Sequence, residues 1–314
     1  MSVALPHSIS IGVAAAEEYP TTHFSGTEGS YMLPHHAKEI ERLQRQHRFM
    51  NSNTDGKLLV TPNTKGFSPL RILDAGCADG TWLRDVPRQF PNRNLELFGV
   101  DIGSTLFPDA GSASADHPAP STPDLRTHNI LHPFPPSWGW ENSFDIIHQR
   151  LLIWGIASKE WPTVVRNLVE LLKPGGYIQL VEAEWIDPSR PASLPQLKRQ
   201  AVLQEWSTKE FGMDIHVAYQ LEGYLREAGL EDVTKVQFDH GYGARSRDPE
   251  QADISAELWV ECFRSLDQKL GPDGIPGVAS NVREFHAFLD ALEVEIKTYG
   301  YQPKLNFVYG RKPL

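Results

Sequence analysis

At 314 residues, with 40% of them hydrophobic, the chain can bury a large core, either as one elaborated domain or as a domain with a cap. A formal net charge of −10 argues against a nucleic-acid-binding surface, which needs clustered Lys and Arg. No long apolar run and no charged-then-apolar leader points to a membrane span or a secretory signal. The two cysteines, Cys77 and Cys262, lie far apart, so no disulfide is expected and the chain reads as cytoplasmic. No Cys/His spacing suggests zinc, and no metal site is expected.

Residues 1–30 mix small, polar and apolar types without a period and read as a flexible leader. Ile40, Leu43 and Phe49 recur among charges over Ala37–Phe49, which predicts an amphipathic helix, followed by a linker rich in Asn, Thr, Gly and Pro to about residue 66. Ile72 and Leu73 sit in a short buried strand closed by Asp74. Gly76 and Gly80 then bracket a tight turn into a helix that Pro87 cuts short. Such a turn offers free backbone N–H groups to a small anionic group, and its G-x-x-x-G spacing is not that of a dinucleotide loop. A second strand ends at Asp101, where nucleotide-binding α/β folds hold a ribose diol. Turn and acid together suggest a nucleoside with an amino-acid tail.

Residues 103–123 read as a flexible loop and Leu125–Ile130 as a third strand. Pro133–Trp140 is an aromatic, proline-stiffened loop that walls either a flat ligand or only itself. Phe144–His148 forms a fourth strand, placing His148, Gln149 and Arg150 at the carboxyl edge, where open parallel sheets bind ligands. A helix at Trp161–Leu172 ends at Pro174-Gly175-Gly176, and Tyr177–Val181 is a fifth strand with Glu184 and Trp185 beyond its end. Two helices fill 190–230, followed by a sixth strand at Val233–Phe238 and a mobile loop at Asp239–Arg245. Helices near Ile254–Lys269 and Val282–Lys297 and a closing strand near Lys304–Arg311 complete the pattern.

Four of these stretches carry a family resemblance. Asp74-Ala75-Gly76-Cys77-Ala78-Asp79-Gly80 resembles motif I of class I S-adenosylmethionine-dependent methyltransferases, and Val100-Asp101 resembles their ribose-binding acid. Phe144–His148 is similar to the fourth-strand motif, and Leu171–Tyr177 to the turn before the fifth strand. The islands span residues 68–185 in the family's order, and the His148-Gln149-Arg150 extension with the long C-terminal half resembles fungal secondary-metabolism (LaeA-like) methyltransferases.

The resemblance implies an α/β fold, a Rossmann-like seven-stranded methyltransferase sheet with helical substrate-capping insertions. It divides the chain into a leader (1–30), a lid helix and linker (31–66), the cofactor-binding core (67–189) and the remaining strands with capping helices (190–314). S-adenosylmethionine is then the expected cofactor, touched by Tyr31, Asp74, Gly76, Cys77, Gly80, Asp101, Ile102, Asn129, Ile130, Gln149 and Arg150. Asn129 stands where relatives place an acid, and its amide oxygen can accept the adenine amino group. His148 and His240 are candidate bases, since a histidine near neutral pKa serves an acceptor that must lose a proton. Trp154, Glu184, Trp185, His216 and Tyr242 are the expected substrate contacts. The implied reaction methylates nitrogen, oxygen or sulfur of a small natural-product intermediate, with neither a membrane nor a protein partner expected. The alternative is a velvet-type regulator acting through protein association.

Overall fold

The computed structural model describes residues 37–62, 68–108, 122–187 and 192–314. Tyr31, the leader and most of the loop at 103–123 lie outside them. The chain runs α1 (Ala37–Asn53), β1 (Leu70–Ala75), α2 (Thr81–Asp85), β2 (Leu95–Asp101), β3 (Asp124–Thr127), β4 (Phe144–Arg150), α3 (Trp161–Leu171) and β5 (Leu172–Glu184). It continues through α4 (Pro195–Glu210), α5 (Leu221–Glu227), β6 (Glu231–Asp239), α6 (Ala252–Arg264), α7 (Val282–Tyr299) and β7 (Lys304–Arg311).

The strands form one seven-stranded sheet in the order β3-β2-β1-β4-β5-β7-β6. The first five are parallel, and β7 inserts antiparallel between β5 and β6. Every residue of β4 except Arg150 is buried, as a central parallel strand covered on both faces requires. The outer strand β6 is mostly exposed and carries Glu231, Asp232, Lys235 and Asp239, charges that discourage edge pairing with another chain. The carboxyl ends of β1, β2 and β4 converge at one edge, and α1 and α6 pack together beside it.

Several expected boundaries move for local reasons. Pro87 does not end the helical path; it enters a 3-10 turn at Val86–Gln89, where its missing N–H costs nothing. β3 stops at Thr127, so His128 and Asn129 leave the ladder and turn into the ligand edge. Helix α3 ends at Leu171 and β5 begins at Leu172, with Lys173–Gly176 accommodated as a bulge against β4. The expected linker is partly fixed: Gln89 Oε1 accepts the Leu58 and Leu59 N–H groups at 2.9 and 3.1 Å, and Gln179 Oε1 accepts Val60 N–H at 2.8 Å. The loop after β6 is likewise held, with Tyr242 and Tyr301 exchanging backbone hydrogen bonds of 2.7 and 3.1 Å.

Candidate active site

Two cavities open at the carboxyl edge of the sheet and share two walls, Gly76 and Leu152. Gly76 has φ +79°, and a Cβ there would stand 2.7 Å from Leu152 Cδ2. Gly76 and Leu152 therefore pack closely as the wall shared by the two cavities, at a backbone angle that favours glycine. Cys77 tucks its sulfur over Gly99, where any Cβ would stand 2.7 Å from Sγ, so this turn needs a small side chain.

The turn is internally satisfied. Gly76 and Cys77 donate their N–H groups to Val100 O at 2.8 and 3.0 Å, and Gly80 donates to Cys77 O at 2.8 Å. Ala78 N–H goes to Asp101 Oδ2 at 2.8 Å and Thr81 N–H to Asp79 Oδ1 at 3.0 Å. The expected nest of free N–H groups is therefore absent at these positions, and any anionic group in the cleft must find its donor elsewhere.

Arg150 is a cation at this edge. It lines the larger cavity, a cleft of about 1070 Å³, and donates to His47 Nδ1 at 3.3 Å. His47 Nε2 faces Asp85 Oδ2 at 2.9 Å, which fixes the imidazole as the Nε2–H tautomer. Asp85 also accepts from Asn51 at 2.9 Å and from Arg88, so α1 is tied to both α2 and the β4 edge. Burial lowers the His47 pKa, and the neighbouring Arg150 charge adds to that while Asp85 opposes it.

His148 shares the Arg150 side of β4 and pairs in register with Asp74 of β1. Its Nδ1 lies 2.8 Å from Asp74 Oδ1, and its ring stacks on Trp82 at 3.8 Å and 1°. Burial lowers its pKa against the pull of Asp74. The cleft floor thus sets one cation, Arg150, beside an acid–imidazole pair, Asp74–His148. Gln149 lies one pleat step away on the opposite face, bonded to Glu182 at 3.0 Å, and lines neither cavity. Its expected cofactor contact is corrected on that ground.

The smaller cavity, about 510 Å³, is lined by Asp101, Ile102, Asn129 and Ile130, together with His128, Leu131, Gly155 and Ile156. Asn129 Oδ1, the oxygen expected to meet adenine, accepts Leu131 N–H at 3.0 Å. The aromatic loop after it lines neither cavity: Phe134, Trp138 and Trp140 pack on one another, with Arg126 over both indoles at 4.9 and 4.8 Å.

The outer half of the large cleft is an aromatic box. Trp154, Trp185, Tyr242 and Trp259 line it with Leu258 and Cys262. Trp185 stacks with Trp259 at 4.6 Å and lies 6.4 Å from Trp154 at an interplanar angle of 24°. From α1, Arg42 closes the box while forming a buried bidentate pair with Glu39 at 2.6 and 2.9 Å. His240 stands behind this wall. Its Nε2 is 2.9 Å from the Tyr242 hydroxyl, it is fully buried, and burial drives its pKa down to about 3.

Two expected substrate contacts are misplaced. Glu184 faces away from Trp185 by pleat alternation and accepts from Gln237 and Asn306 at 3.0 and 2.8 Å. His216 pairs with Glu205 at 2.9 Å on the surface. Arg42, His47, Leu258, Trp259 and Cys262 carried no site signal in the sequence. The only hint was the helical spacing of 258, 259 and 262, which reads equally well as core.

A family profile described as a methyltransferase domain matches residues 41–235. The chain is 32% identical over 289 residues to the N-methyltransferase sirN of Leptosphaeria maculans, covering 91% of this chain and 96% of that protein. It is 29% identical over 293 residues to the N-methyltransferase gliN of Aspergillus fumigatus, covering 91% and 98%. The N-methyltransferase tcpN of Claviceps purpurea matches at 29% over 280 residues, covering 88% and 95%. The chain belongs to the methyltransferase family.

This methyltransferase depends on S-adenosylmethionine. The bound cofactor supplies an already activated methyl group on a sulfonium. The residues present fit such a molecule: beside Gly76, which has no room for a Cβ, lie a cavity edged by Asp101 and a floor that offers both a cation and an acid–imidazole pair. No described helix is long and apolar enough to cross a membrane, and no described His/Cys/Asp/Glu group could hold a metal ion.

Proposed function

We propose that this methyltransferase transfers its methyl group to a nitrogen of a small, flat, largely apolar intermediate of natural-product assembly. The observation that carries this reading is the contrast within the larger cleft, where Arg150, Asp74 and His148 form a charged floor and Trp154, Trp185, Tyr242 and Trp259 form an aromatic box. The names of sirN, gliN and tcpN as N-methyltransferases support nitrogen over oxygen or sulfur. A velvet-type regulatory role draws no support from these relatives.

In this reading Asp101 accepts from the ribose hydroxyls, and Ile102, Asn129 and Ile130 hold the adenine. Arg150 pairs with the methionine carboxylate, while Asp74 and His148 face the ammonium group. His148 then reads the cofactor and is not a base for the acceptor. Tyr242, its hydroxyl fixed by His240, gives the aromatic box a polar point. With His240 neutral down to about pH 3, the pair orients and does not carry a proton. Rate acceleration rests on in-line alignment and water exclusion, worth on the order of 7–11 kcal/mol when orientation is good. The reduced cysteines Cys77 and Cys262 support a cytoplasmic setting.

The test is calorimetry with S-adenosylhomocysteine, with NAD as control, followed by labelled-methyl transfer to flat secondary amines and to the matching alcohols. Binding of S-adenosylhomocysteine alone, with label entering the amines, is expected. Label entering only the alcohols would overturn the nitrogen assignment.

A further inference from the structure

Beneath the turn that parts the two cavities, Gln149 and Glu182 face one another with no exposed surface. Gln149 Nε2 donates to Glu182 Oε1 at 3.0 Å, and the same oxygen accepts Leu152 N–H at 2.6 Å. The remaining two oxygens, Glu182 Oε2 and Gln149 Oε1, are buried and have no partner among the described residues. Two bare acceptors on groups already bonded at their other ends are an arrangement that one proton resolves. A carboxylic acid donates from one oxygen and accepts at the other, a carboxamide does the reverse, and together they close a ring of two hydrogen bonds. A carboxylate would instead leave Glu182 Oε2 and Gln149 Oε1 unpaired, at a cost of about 1–3 kcal/mol or more for each.

We propose that Glu182 is held as a neutral carboxylic acid paired in this ring with Gln149, and that the ring positions the Leu151–Ile153 turn between the two halves of the cofactor site. Glu182 is a positioning residue, acting through the backbone. The turn it holds is exacting: Leu151 adopts φ +52°, Leu152 walls both cavities against Gly76, and Ile153 and Trp154 continue into the aromatic box. Burial raises the Glu182 carboxyl to about 8, with the Gln149 amide and the Leu152 and Ile153 N–H groups opposing. No ionised side chain on a packed element contributes to that shift. The proton therefore stays in place at neutral pH and leaves in mildly alkaline solution.

The inference rests on the cofactor reading above, so its test must separate the two. S-adenosylhomocysteine affinity of the full-length protein is measured by calorimetry from about pH 6 to about pH 10. Wild-type affinity should hold to about pH 8 and fall beyond it. Glu182→Gln keeps both hydrogen bonds without a titrating proton, so its affinity should match wild type at neutral pH and stay level throughout. Glu182→Ala should bind weakly at every pH, with a thermal midpoint recorded to show that it is folded. An infrared carbonyl band of a protonated acid, shifted in heavy water and lost in Glu182→Gln, is the independent signature. Level wild-type binding across the range, or a Glu182→Gln variant as weak as Glu182→Ala, would overturn the proposal. Absence of binding in wild type at every pH would overturn the cofactor reading instead, and the infrared band would still decide the protonation.

Discussion

The two halves of the cleft are built in different ways. The half proposed to hold the cofactor comes from the ends of adjacent parallel strands, with Asp74, Asp101, His148 and Arg150 inside the ladder and Gly76 one residue beyond it. The half proposed for the acceptor is assembled from α1, the turn after β4, the exit of β5, the loop after β6 and α6, segments that meet only in the folded chain. A strand end is a rigid place to hold an invariant ligand. Helix faces and loops can exchange side chains without disturbing the sheet, which suits a half that must match one particular acceptor.

The sharpest way to break this comparison is at the wall that Gly76 and Leu152 share. Gly76→Ala places a Cβ against Leu152 in a backbone region that favours glycine. Left-handed strain and overpacking together should cost on the order of 2–6 kcal/mol. Where that cost falls on the bound state, S-adenosylhomocysteine affinity should drop by roughly thirtyfold or more. Near-wild-type binding would mean that the cofactor does not lie against Gly76.

A smaller pair of effects tests whether the halves act separately. Arg150→Met removes the charge that meets the carboxylate, so cofactor affinity should drop by about 1.5–3 kcal/mol. Trp154→Ala, at a half-buried box wall, should raise the acceptor KM by several-fold, about 0.5–1.5 kcal/mol of ring contact, while leaving S-adenosylhomocysteine affinity unchanged. Crossed results, with Trp154→Ala weakening the cofactor as much as Arg150→Met does, would merge the two halves into one site.

Stability against pH distinguishes the halves less strongly. His47, His148 and His240 all have lowered pKa values in the fold, so the unfolded chain takes up protons first as the pH drops below about 6.5. Their contribution is intact above that value and is lost on acidification, by at most about 1.4 kcal/mol per pH unit for each proton. Glu182 works in the opposite sense, because its raised carboxyl favours the fold as the pH falls from about 8. The thermal midpoint should therefore decline between neutrality and pH ~5.5, and more steeply in Glu182→Gln, where the opposing group is gone.

The sequence made the succession of strands and the residues at their carboxyl ends legible because both rest on short-range signals: apolar runs, glycine turns and acids at strand ends. Its errors at the site follow from geometry that a linear reading does not carry. Gln149 was grouped with His148 and Arg150, yet one pleat step sends it through the sheet to Glu182. Asp239–Arg245 reads as a mobile loop, yet Tyr242 is pinned by Tyr301 and buried in the box wall. Arg42 and Cys262 meet across the cleft from opposite ends of the chain, and neither stretch differs in pattern from an ordinary amphipathic helix.

The smallest expected effect is the most direct check on the pleat argument. Glu184 adjoins Trp185 in sequence but lies on the other face of β5, holding Gln237 and Asn306, and His216 is engaged with Glu205 outside the cleft. Glu184→Gln and His216→Ala should each leave the acceptor KM and kcat within about twofold of wild type, with stability changes of about 0.5 kcal/mol or less for His216. Glu184→Gln keeps one acceptor oxygen for its partners, so a rise in KM there could not be assigned to a collapsed sheet edge. It would mean that the acceptor reaches past Trp185 to the far face, and the boundary of the aromatic box would have to be redrawn beyond β5.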